Sequence, residues 1–203
     1  MDRTGIAIDG AGGAAKLRVA VWAVLVAILA MISAAATAQD LSRLADGRQI
    51  LMVRHAYAPG TGDPANFRIG DCGTQRNPNH AGRAQAERLG AYLRAQGIEN
   101  ARVLTSQWCR CSETAELLNI GSIEEFTGLN SFYTMPEKRG EWLEELRDHI
   151  VLLGQRTDEP VVMVTHAVTI SAIAGAGVSS GEAVLLDLNG TREPDFVERL
   201  TVR

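Results

Sequence analysis

The sequence predicts an α/β fold, a three-layer sandwich with a mostly parallel central sheet between two layers of helices. Two runs of consecutive apolar side chains, residues 50–53 and 161–164, suit strands covered on both faces, as strands of a parallel sheet are. Between and beyond them lie stretches whose apolar residues recur at intervals of three and four, the helical period. Strand alternating with helix implies right-handed crossovers and a parallel sheet, here finished by antiparallel edge strands.

In chain order, Asp40 to Gly47 is a polar lead-in to the opening strand, whose apolar run ends at Arg54 and His55. Residues 56–79 show no periodicity and recur in Gly, Pro, Asp and Asn. A loop of that length in a compact domain is usually functional or disordered; because it starts at Arg54-His55, it is expected to wall or cover a site, the alternative being a plain excursion tied down by Cys72. Helix is expected from Asn79 or His80 to Gln96, with Ala84, Leu89, Tyr92 and Leu93 as apolar content and Gly97 as the stop. Ala101 to Thr105 reads as a strand, Ser106 to Asn119 as a helix, and Ile123 to Leu129 as a further strand. Beyond Pro136, the positions Trp142, Leu143, Leu146, Ile150 and Leu153 define an amphipathic helix. Pro160 to Thr165 repeats the design of the opening strand and ends at His166; Ala167 to Ala174 is helical, and Glu182 to Leu188 and Asp195 to Val202 form closing strands about Asn189-Gly190.

The first 38 residues stand apart. Lys16 and Arg18 precede an apolar run from Val19 to Ile32, and small residues then lead to an Ala-x-Ala ending at Ala38. That is the layout of a signal peptide cleaved after Ala38, which implies export to a periplasmic or extracellular space; an uncleaved membrane anchor is the alternative. The expected organisation is therefore signal peptide 1–38, lead-in 39–48 and one catalytic domain 49–203. Removing Arg3, Lys16 and Arg18 together with Asp2 and Asp9 takes the formal charge from −4 to −5. A mildly acidic domain without a basic stripe lacks the footprint of nucleic-acid binding. Any anion it binds must meet a local cluster of cations.

Cys72, Cys109 and Cys111 allow one disulfide and one odd thiol, and export would favour the disulfide. Cys111 lies nearer the apolar Ala115 and Leu118, so Cys72 with Cys109 is expected, Cys72 with Cys111 being the alternative. Cys-x-Cys lacks the spacing of zinc ribbons or dithiol redox sites, and neither metal nor other cofactor is expected.

Parallel strands bring their carboxyl ends to one sheet edge, where α/β proteins bind ligands. Arg54-His55, the Ser106 to Arg110 segment and Thr165-His166 converge there. Arg110 would sit in the first turn of a helix, whose free N–H groups already favour an anion. Two guanidiniums and two imidazoles suit a phosphoryl group. A neutral imidazole can also attack phosphorus and split hydrolysis into two easier transfers.

Leu51-Met52-Val53-Arg54-His55-Ala56 resembles the Arg-His signature of the histidine phosphatase superfamily, the phosphoglycerate mutase-like fold. Ser106-Gln107-Trp108-Cys109-Arg110 with Thr114-Ala115, Val164-Thr165-His166-Ala167 and Gly82 with Gln85-Ala86 are similar to three further segments of that family. The resemblance spans about Ile50 to Ala174 and implies that His55 is the residue phosphorylated, with Arg54, Arg110 and His166 binding the phosphoryl group of a small phosphorylated substrate. Many members carry an acidic proton donor where this chain reads Gly128-Leu129-Asn130-Ser131. Neither Asn130 nor Ser131 is an acid, so Asp63 or Glu137 is the candidate donor, or the substrate has a leaving group that needs none. Arg76 and Asn77, with Arg68, are candidate substrate contacts in the long loop, whereas His80 and His149 are expected on helix surfaces and Trp108 and Trp142 in packing roles. The expected activity is hydrolysis of a phosphomonoester or phosphoramidate through phospho-His55; the alternative is a phospholigand-binding module that does not turn over.

Overall fold

The computed structural model describes residues 39–156 and 158–202, so the expected signal peptide lies outside the described residues. Six strands form one sheet: β1 (Gln49–Arg54), β2 (Ala101–Thr105), β3 (Gly121–Glu125), β4 (Val161–Thr165), β5 (Ala183–Asp187) and β6 (Asp195–Leu200). Their spatial order is β3-β2-β4-β1-β5-β6, with the first four mutually parallel and β5 and β6 antiparallel additions at one side. The helices are α1 (Ser42–Ala45), α2 (His80–Ala95), α3 (Cys109–Leu118), α4 (Arg139–Arg156) and α5 (Ala167–Ala174). Among the described residues, no helix is long and apolar enough to cross a membrane.

The period-two alternation of β1 separates two cores. Leu51 and Val53 face one side with Leu44, Leu89, Leu93, Cys111, Ala115 and Leu118, so α1, α2 and α3 cover that face. Ile50 and Met52 face the other with Leu146, Ile150, Leu153 and Ile170, the buried stripes of α4 and α5. All four apolar residues of β1 are fully buried, as strands covered on both faces must be.

Local chemistry sets the element ends. The Asn79 side chain accepts from Gly82 N at 3.0 Å and caps α2, fixing the start one residue after Asn79. Gly82 is required to be glycine because a Cβ there would overlap the Tyr57 carbonyl. The amino end of α2 therefore lies directly on the chain leaving β1, and Gln85 ties the two together by accepting from Tyr57 N at 3.0 Å and donating to Ser180 O at 2.7 Å.

Two expectations are corrected. The strand expected over Ile123 to Leu129 is displaced to Gly121–Glu125, because its residues pair with β2 at the exposed sheet edge, where apolar content carries no signal. Thr127–Leu129 forms a 3₁₀ turn instead, which buries Leu129 under α4. The helix expected from Ser106 begins at Cys109, since Ser106 and Gln107 use their polar groups to bond Asn130.

Candidate active site

The carboxyl ends of β1, β2 and β4 open into a cavity of about 230 Å³. Around it stand Arg54, His55, Arg76, Arg110, His166 and Asp63. The four residues carried over from the family motifs thus share one wall, joined by two of the loop residues named as candidates.

His55 follows β1 and is 3% exposed. Its Nδ1 lies 2.8 Å from Ala56 O, and a carbonyl can only accept, so Nδ1 carries the proton and Nε2 keeps its lone pair. Burial pushes the ring down to a pKa of about 3; the Ala56 hydrogen bond opposes this, and the charges of Arg110, Arg54 and Arg76 add to it. The imidazole is therefore neutral at ordinary pH, the form that can attack phosphorus. His166 packs edge-on to it at 5.4 Å between ring centroids and is itself held well below the ordinary histidine value, first by burial and then by Arg110 and His55.

The three guanidiniums are anchored in different ways. Arg54 donates from Nη1 to Val178 O at 2.8 Å, and Arg76 donates from Nε to Gly62 O at 2.9 Å and from Nη1 to Ala58 O. Arg110, in the first turn of α3, is gripped by Asp63 in a two-point ion pair, 2.5 Å at Nη1 and 3.2 Å at Nη2. Both side chains are buried, 4% and 6% exposed. Asp63 also accepts from Trp108 Nε1 at 3.0 Å, so Trp108 is more than the packing group expected of it. Burial works to raise the Asp63 carboxyl, but the hydrogen bonds from Arg110 and Trp108, with the charges of Arg110 and Arg76, hold it below the usual range. As it stands, Asp63 is a carboxylate paired with Arg110 and not a protonated acid.

The loop that brings Asp63 and Arg76 to the site is tied to the start of α3. Cys72 and Cys109 form a disulfide, Gln75 Oε1 accepts from Cys109 N at 2.9 Å, and Phe67 stacks on Trp108 at 5.1 Å. Cys111 is the buried free thiol among the described residues.

Other candidates lie away from the cavity. Glu137 is exposed in the 3₁₀ turn Pro136–Lys138 and does not line it, because that turn belongs to the approach to α4. Asn77 does not line it either; its Nδ2 donates to Cys72 O at 2.8 Å and braces the disulfide turn. Arg68 pairs with Asp71 at the surface. His80 is exposed, but His149 is half-buried against Phe126, 4.7 Å between rings, because the displaced β3 leaves Phe126 to pack beneath α4. Residues not anticipated at the cavity are Gly60 to Gly62, Ser131, Tyr133, Ala167 and Val168. Asn130 is 1% exposed and turns inward, where it binds Ser106.

Comparison with known proteins agrees with this architecture. The structure resembles the protein histidine phosphatase SixA bound to tungstate, at 16% identity and a TM-score of 0.57, over 75% of this chain and 96% of that one. It also resembles the putative phosphohistidine phosphatase SixA from Agrobacterium tumefaciens, 19% identical over 77% and 99% of the two chains, TM-score 0.53. A mycobacterial glucosyl-3-phosphoglycerate phosphatase in complex with VO3 is 14% identical over 77% and 99%, TM-score 0.53. At these identities the likeness is one of fold. No curated protein sequence matches the chain. Over residues 50–132, which run from β1 through the Arg110 helix to the loop beyond β3, the chain matches the model of the histidine phosphatase superfamily (branch 1).

Proposed function

We propose that the protein is a phosphatase that takes the phosphoryl group of a small phosphomonoester or phosphoramidate onto His55 and then passes it to water. The observation that carries this is the fixed tautomer of His55: Nδ1 is committed to Ala56 O, so the nucleophilic Nε2 belongs to a buried, neutral ring beside three guanidiniums. Arg54, Arg76 and Arg110 then stabilise charge on the phosphoryl oxygens during transfer. The superfamily and the phosphatase relatives support the reaction class. Replacing His55 by Ala should abolish phosphate release from an aryl phosphate while the fold persists; a normal rate from that variant excludes the mechanism.

Asp63 is the proposed proton donor for substrates that need one. An arriving phosphoryl group competes with it for Arg110, and a carboxyl that loses its guanidinium while gaining an anionic neighbour rises in pKa. A second reading, a phospholigand-binding module without turnover, draws on the same ion pair, since Asp63 is ionised here and no acid stands at Asn130 or Ser131. Turnover of an aryl phosphate separates the two. Export to an oxidising compartment is proposed from the 1–38 pattern, and the Cys72–Cys109 disulfide is compatible with it. The amino-terminal sequence of the protein recovered from its native host tests this: a start at Gln39 supports cleavage, and an intact Met1 opposes it.

A further inference from the structure

The residues standing where an acid might be sought make a different device. His166 Nε2 lies 3.0 Å from Ser106 Oγ, and the Ser106 hydroxyl donates to Asn130 Oδ1 at 3.1 Å. Asn130 is itself oriented from two sides: Oδ1 accepts from Gln107 N at 3.0 Å, and Nδ2 donates to Gln107 Oε1 at 2.9 Å. Its amide cannot be turned over without placing N–H groups against Gln107 N, so Oδ1 faces Ser106. A hydroxyl has one proton; spent on Asn130, it leaves Ser106 Oγ an acceptor towards His166. Cys111 Sγ, 3.4 Å from the same nitrogen, has Thr165 O at 3.7 Å as an acceptor for its own proton. Both neighbours thus accept from Nε2. His166, Ser106 and Asn130 are all essentially buried, so the chain of bonds is not exchanged for water.

Resting on the phosphatase reading of this site, we propose that Asn130 is a positioning residue that holds His166, through Ser106, in its Nε2–H tautomer, so that a phosphoryl dianion enters the cavity together with one proton, shared between Nδ1 and the oxygen facing it. Among the described residues Nδ1 has no hydrogen-bond partner, and His166 borders the cavity. A neutral ring with Nε2–H presents a lone pair there, which repels a bare phosphoryl oxygen and accepts from a protonated one. The groups facing His166 are Arg110 and Cys111 on α3, Arg54 and His55 at the end of β1, and Arg76 and Asp63 on the loop. In the free protein Asp63 is ionised and the Cys111 thiol, pushed up to about 12 by burial, stays protonated. Because phosphate is proposed to displace Asp63 from Arg110, the phosphate titration is run also on Asp63→Asn. There a retained pH slope places the bound proton between Nδ1 and the phosphoryl group, and a lost slope places it on Asp63 and overturns the proposal.

The chain has four histidines, so nitrogen-15 NMR of the labelled protein can resolve each ring. The free protein should show His166 protonated at Nε2 and unprotonated at Nδ1. Titration with inorganic phosphate should weaken about tenfold per pH unit above the second ionisation of phosphate. Asn130→Ala should mix the two tautomers, flatten that pH slope and lower kcat about ten- to a hundredfold, whereas Asn130→Asp, which keeps an oxygen for Ser106, should retain the tautomer. A free protein with His166 protonated at Nδ1, or phosphate binding equally well above and below its second ionisation, overturns the proposal. Neither measurement depends on turnover, so failure of the phosphatase reading would appear separately, as a folded protein with this tautomer and no activity.

Discussion

Asp63→Asn is the most informative single perturbation of the cavity. The carboxylate holds Arg110 through two hydrogen bonds at 2.5 and 3.2 Å, and the competition proposed above has an incoming phosphoryl group displace it from that guanidinium. Hydrogen bonds to charged groups contribute about 1.5–3 kcal/mol each. An amide in the same place keeps a neutral acceptor for Trp108 or Arg110 but loses the charge. If anion binding costs the release of one such charged interaction, the variant should bind tungstate or phosphate about ten- to a hundredfold more tightly. Stability without the anion should fall, because Arg110, 4% exposed at its side chain, loses its counter-charge; removing one partner of a buried pair costs about 3–5 kcal/mol at most, less where a cavity admits water. Calorimetric titration with tungstate gives the affinity, and thermal unfolding with and without tungstate gives the stability. Unchanged or weaker tungstate binding would refute the idea that Asp63 and the ligand compete for one arginine. Turnover adds a further discrimination: an alkyl phosphate should slow far more than an aryl phosphate if Asp63 also delivers the proton.

Two more outcomes follow from the same structure. Removing the Cys72–Cys109 bridge as a double serine variant opens a covalent loop of sequence separation 37, which should cost about 4 kcal/mol by the chain-entropy relation, and should raise KM for any phosphate ester, because the bridge also tethers the 56–79 segment that carries Asp63 and Arg76; thermal unfolding and steady-state kinetics check both. Stability should also fall as the medium is acidified below about pH 6.5. Both pocket histidines have native pKa values below the unfolded value, so in this range the unfolded chain binds more protons than the native one and acid favours unfolding. The loss is about 1.4 kcal/mol per pH unit for each ring and levels off for His55 near pH 3, as urea unfolding from pH 7.5 downward would show; a flat profile between pH 6 and 4.5 would contradict neutral native rings.

What the sequence made legible was whatever burial or motif spacing encodes. The β1 and β4 runs are apolar on both faces because helices cover both, and each ends in the residues that reach the cavity, so Arg54, His55 and His166 could be placed from pattern alone. Arg110 followed from its position in the first turn after β2. β3 was mislaid because it lies at the exposed sheet edge and buries none of its side chains. The loop gave up only part of its content. Asp63 and Arg76 could be named as charged residues near the site, but the ionised state of Asp63 comes from contacts with Trp108 and Arg110 across 45 and 47 positions, which no local pattern records. Asn130 was noticed for what it is not, an acid. Its inward bonds to Ser106 and Gln107 arise from the tertiary approach of the 3₁₀ turn to the end of β2.

The account rests on a covalent phosphoryl–His55 intermediate, and the direct measurement is rapid acid-free quenching during turnover of a fast aryl phosphate, followed by peptide mass spectrometry under alkaline conditions. It predicts a phosphoryl group on the peptide containing His55, lost on exposure to acid and absent from His55→Ala. Sustained phosphate release by the intact protein with no such adduct, or an adduct on His166 instead, would contradict it.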